Sequence, residues 1–179
     1  MPNINRNISS MNQNLLNPEK ALQIKGCNCA NGVDSCIADG HCLTDQVVYQ
    51  ADLHFKEINP NTHREEDVHK IYIGSTSTPF KKRFGSHNHT FNNLGKEHET
   101  TLSSEIWRLK RIKPDYEYDL KFSFLMLSKA YTREAKKCQL CLSEKTKILY
   151  RDKSKSLNKR SELHYKCLHY EKHRLDRYV

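Results

Sequence analysis

The sequence predicts an α+β domain, with a small three-stranded antiparallel sheet flanked by helices and cysteine-rich loops at both ends. Three segments, at 47–55, 69–74 and 116–127, have the apolar pattern of strands. Segments of helical period follow the second and third of them. The cysteines fall into two groups, one before the first strand and one after the third. A chain of 179 residues is long enough for one domain with a substantial core.

The first two strands are predicted to form an antiparallel pair. The segment 47–55 alternates in character, and the polar residues 56–68 connect it to the next strand. A connection of that length favours antiparallel pairing, in which Tyr49 and Tyr72 share one face of the sheet. Gly74 is expected to give the backbone the freedom for a sharp exit from the second strand.

A helix is predicted to begin at Thr78 and Pro79. A threonine hydroxyl can accept a hydrogen bond from a first-turn amide, and proline tolerates the next position. Arg83 and His87 lie one turn apart beside an apolar stripe that is expected to be buried, formed by Phe80, Phe84 and Phe91. The two polar residues can face a cleft together with the tyrosines. The alternative is a core-facing helix with a solvated arginine and a histidine at its margin.

A second amphipathic helix and a third strand are predicted next. The helix is indicated by apolar residues at helical spacing before Pro114, namely Leu102, Ile106 and Leu109. The strand at 116–127 has the clearest alternation in the chain. One face is expected to contain Tyr116, Tyr118, Leu120, Phe122, Phe124 and Met126.

A third helix is predicted over the segment CQLCLSEKTKILY, which begins at Cys138. Glu144 lies among the apolar residues of this segment, and burial of a carboxylate without a partner is costly. Glu144 therefore either has a specific role or pairs with a neighbouring lysine at the surface.

The composition favours an acidic partner and excludes a membrane protein. The formal net charge of +9 makes a polyanion the first partner to test. No apolar run reaches the roughly 20 residues of a bilayer span, and the amino terminus lacks a secretion signal, so an intracellular protein is expected. Residues 1–25 are predicted to be a flexible leader. Four basic runs are candidate phosphate contacts, or else solvated surface: 81–83, 108–113, 151–160 and 172–177.

The polar loop at 26–43 contains four of the seven cysteines, Cys27, Cys29, Cys36 and Cys42. A polar loop of this kind can fold around a tetrahedral zinc ion with four thiolate ligands. The ion can replace the hydrophobic core that a short loop lacks. His41 is an alternative ligand. Four exposed thiols would be prone to oxidation, and an odd number of cysteines argues against a disulfide framework. The loop therefore predicts a zinc site.

An ordered set of residues resembles the GIY-YIG endonuclease superfamily. The resemblance spans 44–160 and comprises Val47-Val48-Tyr49, Tyr72-Ile73-Gly74, Arg83, His87, Glu144 and Asn158. The first triplet departs from the superfamily name in its first two residues and keeps the tyrosine. The implied fold is a GIY-YIG-like nuclease core with zinc-bound loops.

Further segments are similar to the endonuclease domain that follows the reverse transcriptase in Penelope-like retroelements. Between Cys27 and His169 these segments are GHCLTDQVVYQA, LSSEIW, CQLCLSEK, LNKRSEL and KCLH. The chain contains no reverse transcriptase, so it is expected to be an excised domain or a stand-alone relative. For an excised domain, the reverse transcriptase domain of the same element is an expected partner.

The resemblance implies a site that cleaves double-stranded DNA without a small-molecule cofactor. Glu144 would hold one Mg2+ or Mn2+, Arg83 would contact the scissile phosphate, and Tyr72 would orient or deprotonate the attacking water. A cation suits this chemistry because hydrolysis builds negative charge on the phosphoryl and leaving oxygens. A tyrosine, with an ordinary pKa of about 10, needs nearby positive charge to act as a base.

The resemblance also implies supporting roles for Tyr49, His87 and Asn158. Histidine ordinarily titrates near neutrality, so His87 is the rival to Tyr72 as general base. His98 is a secondary candidate, because some superfamily members have a functional histidine in the corresponding loop. The alternative for His98 is an ordinary solvated residue.

A second zinc site is predicted from a histidine and three cysteines, Cys138, Cys141 and Cys167. His169 is the first choice for the fourth ligand because it belongs to the matching segment KCLH, and His164 and His173 are alternatives. The C-x-x-C sequence can instead be a redox pair or two core thiols. The basic segment 161–179 would close this site and fix the third helix, so that zinc loss would reduce activity.

The expected function is therefore metal-dependent nicking of DNA to prime reverse transcription, in the nucleus. The rival is a zinc-stabilised DNA-binding module whose nuclease fold has lost activity. The joint presence of a tyrosine, an arginine, a carboxylate and an asparagine argues against it: Tyr72, Arg83, Glu144 and Asn158. A redox or metal-storage protein would leave the tyrosines and the arginine without a role.

Overall fold

Three antiparallel strands form the centre of the computed structural model, which describes residues 25–128, 138–159 and 167. Strand β1 spans Val47–Ile58, β2 spans Glu65–Thr76 and β3 spans Tyr118–Leu127. The spatial order is β2-β1-β3, with β1 in the middle. The structure confirms the predicted α+β class with a three-stranded antiparallel sheet.

The described helices pack on both faces of this sheet. Helix α1 spans Phe80–Asn92, α2 spans Thr101–Ile112 and α3 spans Gln139–Leu149. None of them combines the length and apolar character that a bilayer span requires. The predicted leader at 1–25, apart from its last residue, and the segment 161–179, apart from Cys167, lie outside the described residues.

The hairpin of β1 and β2 is longer than its sequence pattern predicts. The predicted polar connection at 56–68 is wrong at both ends, because only residues 59–64 form the turn. The pairing continues as far as Ile58 opposite Glu65. Backbone hydrogen bonds between the strands extend the hairpin into solvent. The residues there have no apolar alternation that would predict a strand.

Strand β3 contains a register shift that changes the predicted face. Tyr49 pairs with Phe124, whereas Val48 pairs with Met126, so one residue of β3 has no counterpart on β1. Such a bulge reverses the alternation of side chains beyond it. Met126 is consequently 38% exposed and pairs on the face opposite the one predicted for it. The strand also begins at Tyr118, two residues later than predicted.

The sheet is buried on both faces near the end of β2. On one face β1 and β3 pack against α1 and α2, and the core includes Tyr49, Leu53, Phe80, Leu102, Ile106 and Phe122. On the other face the core comprises Val48, Ile71, Ile73, Cys138, Leu140 and Cys141. Strand β2 is therefore covered on both sides there, with Tyr72 on the first face and Ile73 on the second.

The start of α1 is fixed by main-chain contacts. The predicted threonine cap is wrong, because the Thr78 side chain contacts the Thr76 hydroxyl at 3.1 Å. The amide of Phe80 instead donates to the Thr44 carbonyl at 2.8 Å, and the amide of Lys81 donates to the Cys42 carbonyl at 2.7 Å. The end of the cysteine loop thus satisfies the first donors of this helix.

Candidate active site and metal centres

A buried chain of hydrogen bonds joins β1 to α1. Arg83 Nε donates to Tyr49 Oη at 2.9 Å, and Tyr49 Oη lies 2.7 Å from Nε2 of His87. Because arginine nitrogens only donate, the hydroxyl proton of Tyr49 can point to His87 Nε2, which then accepts it. This arrangement assigns the proton of the neutral imidazole to Nδ1.

Tyr72 completes this group from the neighbouring strand. Its ring centroid lies 6.4 Å from that of Tyr49 and 5.9 Å from that of His87. Burial acts to lower the pKa of Arg83, but the interactions with Tyr49 and Tyr72 outweigh it and raise that pKa. In the part of the chain that the structure describes, no carboxylate forms an ion pair with the guanidinium of Arg83.

His87 is a neutral residue of the core. Its side chain is only 1% exposed, and burial together with the positive charge of Arg83 lowers its pKa to about 3. This differs from the expected titration near neutrality. Burial also raises the pKa of Tyr49. Both side chains therefore stay uncharged at neutral pH and hold Arg83 in place.

The pKa of His87 predicts a loss of stability in mild acid. The unfolded chain takes up a proton at His87 below about pH 6.5, whereas the folded chain resists protonation until about pH 3. The contribution of neutral His87 to the free energy of unfolding is therefore complete above pH 6.5 and falls as the pH falls. We expect a loss of about 2 kcal/mol in the free energy of unfolding between pH 6.5 and 5. Urea unfolding of the parent chain and of His87→Gln at both pH values measures it.

The matched control for this prediction is His89→Gln, which replaces an exposed histidine of the same helix. The stability of His89→Gln should depend on pH as that of the parent chain does. His87→Gln should lack the loss of about 2 kcal/mol between pH 6.5 and 5. Identical pH dependence in the parent and His87→Gln would contradict the assignment.

Gly74 provides space for the tyrosines. It lies opposite Tyr49 within β2, and the strand continues to Thr76, so the predicted sharp exit at this glycine is wrong. A Cβ added at this position would lie 2.5 Å from Tyr49 Oη and 3.0 Å from Tyr72 Cε1. The two rings meet over this residue because it has no side chain.

Glu144 and Asn158 contact the residues of β2 on either side of Gly74. Ser75 Oγ donates to Glu144 Oε2 at 2.8 Å, and the carboxylate is only 7% exposed. Asn158 accepts from the Ile73 amide and donates to the Ile73 carbonyl, each at 2.8 Å. Sequence reasoning missed Ser75, whose only signal is a hydroxyl directly after the Tyr72-Ile73-Gly74 triplet.

Glu144 approaches from the helix on the far face of the sheet. Residues of α3 pack with Val48 and Ile73, whereas Tyr49 belongs to the other face. Its charge still reaches the tyrosine group, because the pKa of Tyr49, raised mainly by burial, is raised further by Glu144. The carboxylate is thus coupled to the buried group across the β2 backbone.

His98 is a surface residue. It follows α1 in the loop before α2, its side chain is 80% exposed, and its Nε2 lies 2.6 Å from Glu97 Oε1. Its position fits the alternative of a solvated loop residue.

The four cysteines of the amino-terminal loop form a group that could hold zinc. Their sulfur atoms lie within 4.8 Å of one another, and Sγ of Cys29 and Cys42 are 3.8 Å apart. Zn–S bonds of about 2.3 Å in a tetrahedron place the sulfurs about 3.8 Å apart. Burial acts to raise the pKa of Cys36, but backbone amides, foremost that of Ala38, lower it to about 6. His41, the alternative ligand, is outside the group.

Cys138, Cys141 and Cys167 form a second group that could hold zinc. Sγ of Cys141 and Cys167 lie 3.3 Å apart, and Cys138 is the N-cap of α3. This group therefore connects the beginning of the helix that carries Glu144 to the carboxyl-terminal segment. The predicted fourth ligand His169, and the alternatives His164 and His173, lie outside the described residues.

Comparison of the chain with protein-family models, with curated proteins and with solved structures finds no match in any of the three. The functional class of the protein is therefore inferred from the arrangement of its own residues.

Proposed function

We propose that the chain is a metal-dependent DNA endonuclease of the GIY-YIG superfamily. The main support is the buried group of Tyr49, Tyr72, Arg83 and His87, to which the Glu144 carboxylate is electrostatically coupled from the other face of the sheet. Within that class, the cysteine framework favours the endonuclease domain of a Penelope-like retroelement. Its task would be to nick double-stranded DNA in the nucleus and so provide a primer for the reverse transcriptase of the same element.

The charge of Arg83 supports an anionic substrate. The guanidinium is oriented by tyrosine hydroxyls, and in the described part of the chain it forms no ion pair with a carboxylate that would neutralise it. Arginine suits phosphate groups because its planar donors match phosphate oxygens. The exposed Lys81 and Lys82 precede it on α1, and the chain has a net charge of +9. A phosphodiester of DNA fits this surface.

Glu144 is the proposed ligand of a catalytic Mg2+ or Mn2+. Mg2+ is commonly held by one or two carboxylates together with substrate phosphates. The buried Glu144 carboxylate, oriented by Ser75, fits such a role. When bound, the ion would stabilise negative charge on the phosphoryl and leaving oxygens.

Tyr72 is the residue that we assign to the attacking water. His87 is a poor candidate for the base, because its pKa is about 3 and its Nε2 is engaged with Tyr49. Tyr72 interacts directly with the guanidinium of Arg83, the residue proposed to contact the scissile phosphate. Tyr49 and His87 are positioning residues for Arg83, and Asn158 holds the β2 backbone at Ile73.

Both cysteine groups are proposed to hold structural zinc. The first group supports the start of α1, which carries Arg83, and the second supports the start of α3, which carries Glu144. Zinc would thereby fix the two helices that contribute charged residues to the site.

Nicking of supercoiled plasmid tests the proposed function. With Mg2+ or Mn2+ the parent chain should convert the plasmid to the open-circular form, and a chelator should stop the reaction. Glu144→Gln should be slower by at least about 10–100-fold at limiting metal concentration, because loss of a metal ligand should cost no less than loss of an outer-shell partner. Glu65→Gln, which changes an exposed carboxylate of the hairpin, should match the parent. Equal nicking by Glu144→Gln would contradict the assigned ligand, and DNA binding without nicking by the parent would favour the inactive module.

A further inference from the structure

Asp52, His54 and His69 form a cluster on the hairpin of β1 and β2, on the sheet face opposite Tyr49. His54 lies directly opposite His69 in the antiparallel register, and Asp52 precedes His54 by two residues. One ligand atom from each of the three side chains lies within 4.8 Å of the others. The imidazole rings are stacked, with centroids 4.1 Å apart and planes inclined by 13°. His69 Nε2 lies 2.8 Å from Asp52 Oδ1.

The carboxylate of this cluster is oriented by a neighbouring amide. Gln50 Nε2 donates to both carboxylate oxygens of Asp52, each at 2.7 Å. Metal-binding side chains are commonly held by such outer hydrogen bonds. The cluster also opens to solvent, since His54 is exposed and the side chains of His69 and Asp52 are 31% and 20% exposed. The proposed nuclease reaction uses none of these residues.

We infer that Asp52, His54 and His69 bind a divalent transition-metal ion, foremost Zn2+, independently of the cysteine groups. Two imidazoles and one carboxylate are ligands that Zn2+, Co2+ and Ni2+ accept, whereas Mg2+ prefers oxygen ligands. Tetrahedral bonds of about 2.1 Å separate ligand atoms by about 3.4 Å, which lies between the observed 2.8 Å contact and the 4.8 Å limit. The distances are suitable for one ion, and binding would turn the two imidazoles out of their stacked arrangement so that a nitrogen lone pair of each ring points at it.

Three protein ligands leave one coordination position for water or for an outside group. The ion would also connect β1 to β2 where the ribbon leaves the core, because His54 and His69 belong to different strands. Binding replaces the existing contact between His69 and Asp52, so we expect an exchangeable ion.

Metal titration of the full chain tests this inference. The chain is first saturated with Zn2+ at the cysteine groups and freed of loosely bound ions, and then titrated with Co2+ as the spectroscopic probe. We expect one further equivalent to bind, with the visible d–d bands of four-coordinate cobalt and without the charge-transfer bands of cobalt bound to thiolate. Binding of Zn2+ by calorimetry should show the same stoichiometry.

Variants identify the ligands of this further ion. His54→Ala should weaken the additional binding by roughly 100-fold and Gln50→Ala by roughly 10-fold, by analogy with the effects of outer-shell partners. His63→Ala, which changes an exposed histidine in the turn of the same hairpin, is the control and should bind as the parent does. Asp52→Asn provides a second ligand variant, and circular dichroism verifies that each variant is folded. Absence of the additional equivalent, or equal affinity in the parent and both ligand variants, would overturn the inference.

Discussion

Cys42→Ser is expected to remove one bound zinc ion and to abolish cooperative folding of the chain. Cys42 is fully buried, its sulfur belongs to the group of four thiols, and its carbonyl accepts the Lys81 amide at the start of α1. Structural zinc contributes about 10–16 kcal/mol to the folding of small peptides, whereas a whole domain is stable by only about 5–15 kcal/mol. The folding free energy lost with this ion should therefore exceed what the remaining core can offset.

Zinc content and thermal unfolding measure this effect, and His41→Ala is its matched control. His41 is the exposed neighbour of Cys42 and the alternative ligand that the sequence offers. His41→Ala should retain both the zinc and the cooperative transition of the parent chain. A Cys42→Ser protein with parental zinc content and melting temperature would show that the loop binds no structural ion through this residue.

Loss of the ion should also reduce DNA nicking, because the cysteine loop supports the start of α1. The first two amides of this helix donate to the carbonyls of Thr44 and Cys42, at the end of the cysteine loop. Displacement of the loop would therefore release the turn that precedes Arg83. A shift of the reacting groups by about 1 Å can reduce a rate by about 100-fold, so the plasmid assay should respond even to partial loosening.

The fold was predictable where burial imposes a regular period. The alternation in β1 and β3 and the spacing of Leu102, Ile106 and Leu109 indicate their elements directly, because each segment packs one face against the core. The outer part of the hairpin was not predictable, since its residues are held by backbone pairing in solvent. The bulge that exposes Met126 depends on the fit of β3 to its neighbour, which no local pattern encodes.

The shared face of Tyr49 and Tyr72 was predictable from antiparallel pairing, but the contacts of Gly74 and His87 were not. Gly74 was expected to provide backbone freedom, whereas it provides space for Tyr49, its partner on the neighbouring strand. His87 was expected either to face a cleft with the tyrosines or to lie at the margin of a core-facing helix, but a hydrogen bond with Tyr49 allows it to be buried as a neutral imidazole. Both roles depend on contacts between distant segments, and a single sequence does not display such contacts.

Arg83→Ala is expected to slow DNA nicking by about 1,000-fold, because loss of a positioned donor or arginine at a developing negative charge costs about that much in related chemistry. Arg83→Lys should recover little of this rate. A lysine lacks the planar pair of donors, and it would not reproduce the bond from Arg83 Nε to Tyr49 Oη. The rate of a single turnover on supercoiled plasmid is the appropriate measurement.

Two controls separate this catalytic effect from folding and from DNA binding. The Tyr49 hydroxyl keeps its contact with His87 in the variants, so their melting temperatures should stay near that of the parent. Lys82→Ala removes the preceding exposed charge of α1 and should change the rate only slightly, since phosphate contacts are spread over many basic residues. If Arg83→Ala were folded and nicked DNA within a factor of three of the parent, the guanidinium would not be acting on the scissile phosphate. If Lys82→Ala were equally impaired, the effect of Arg83 would be one of surface charge.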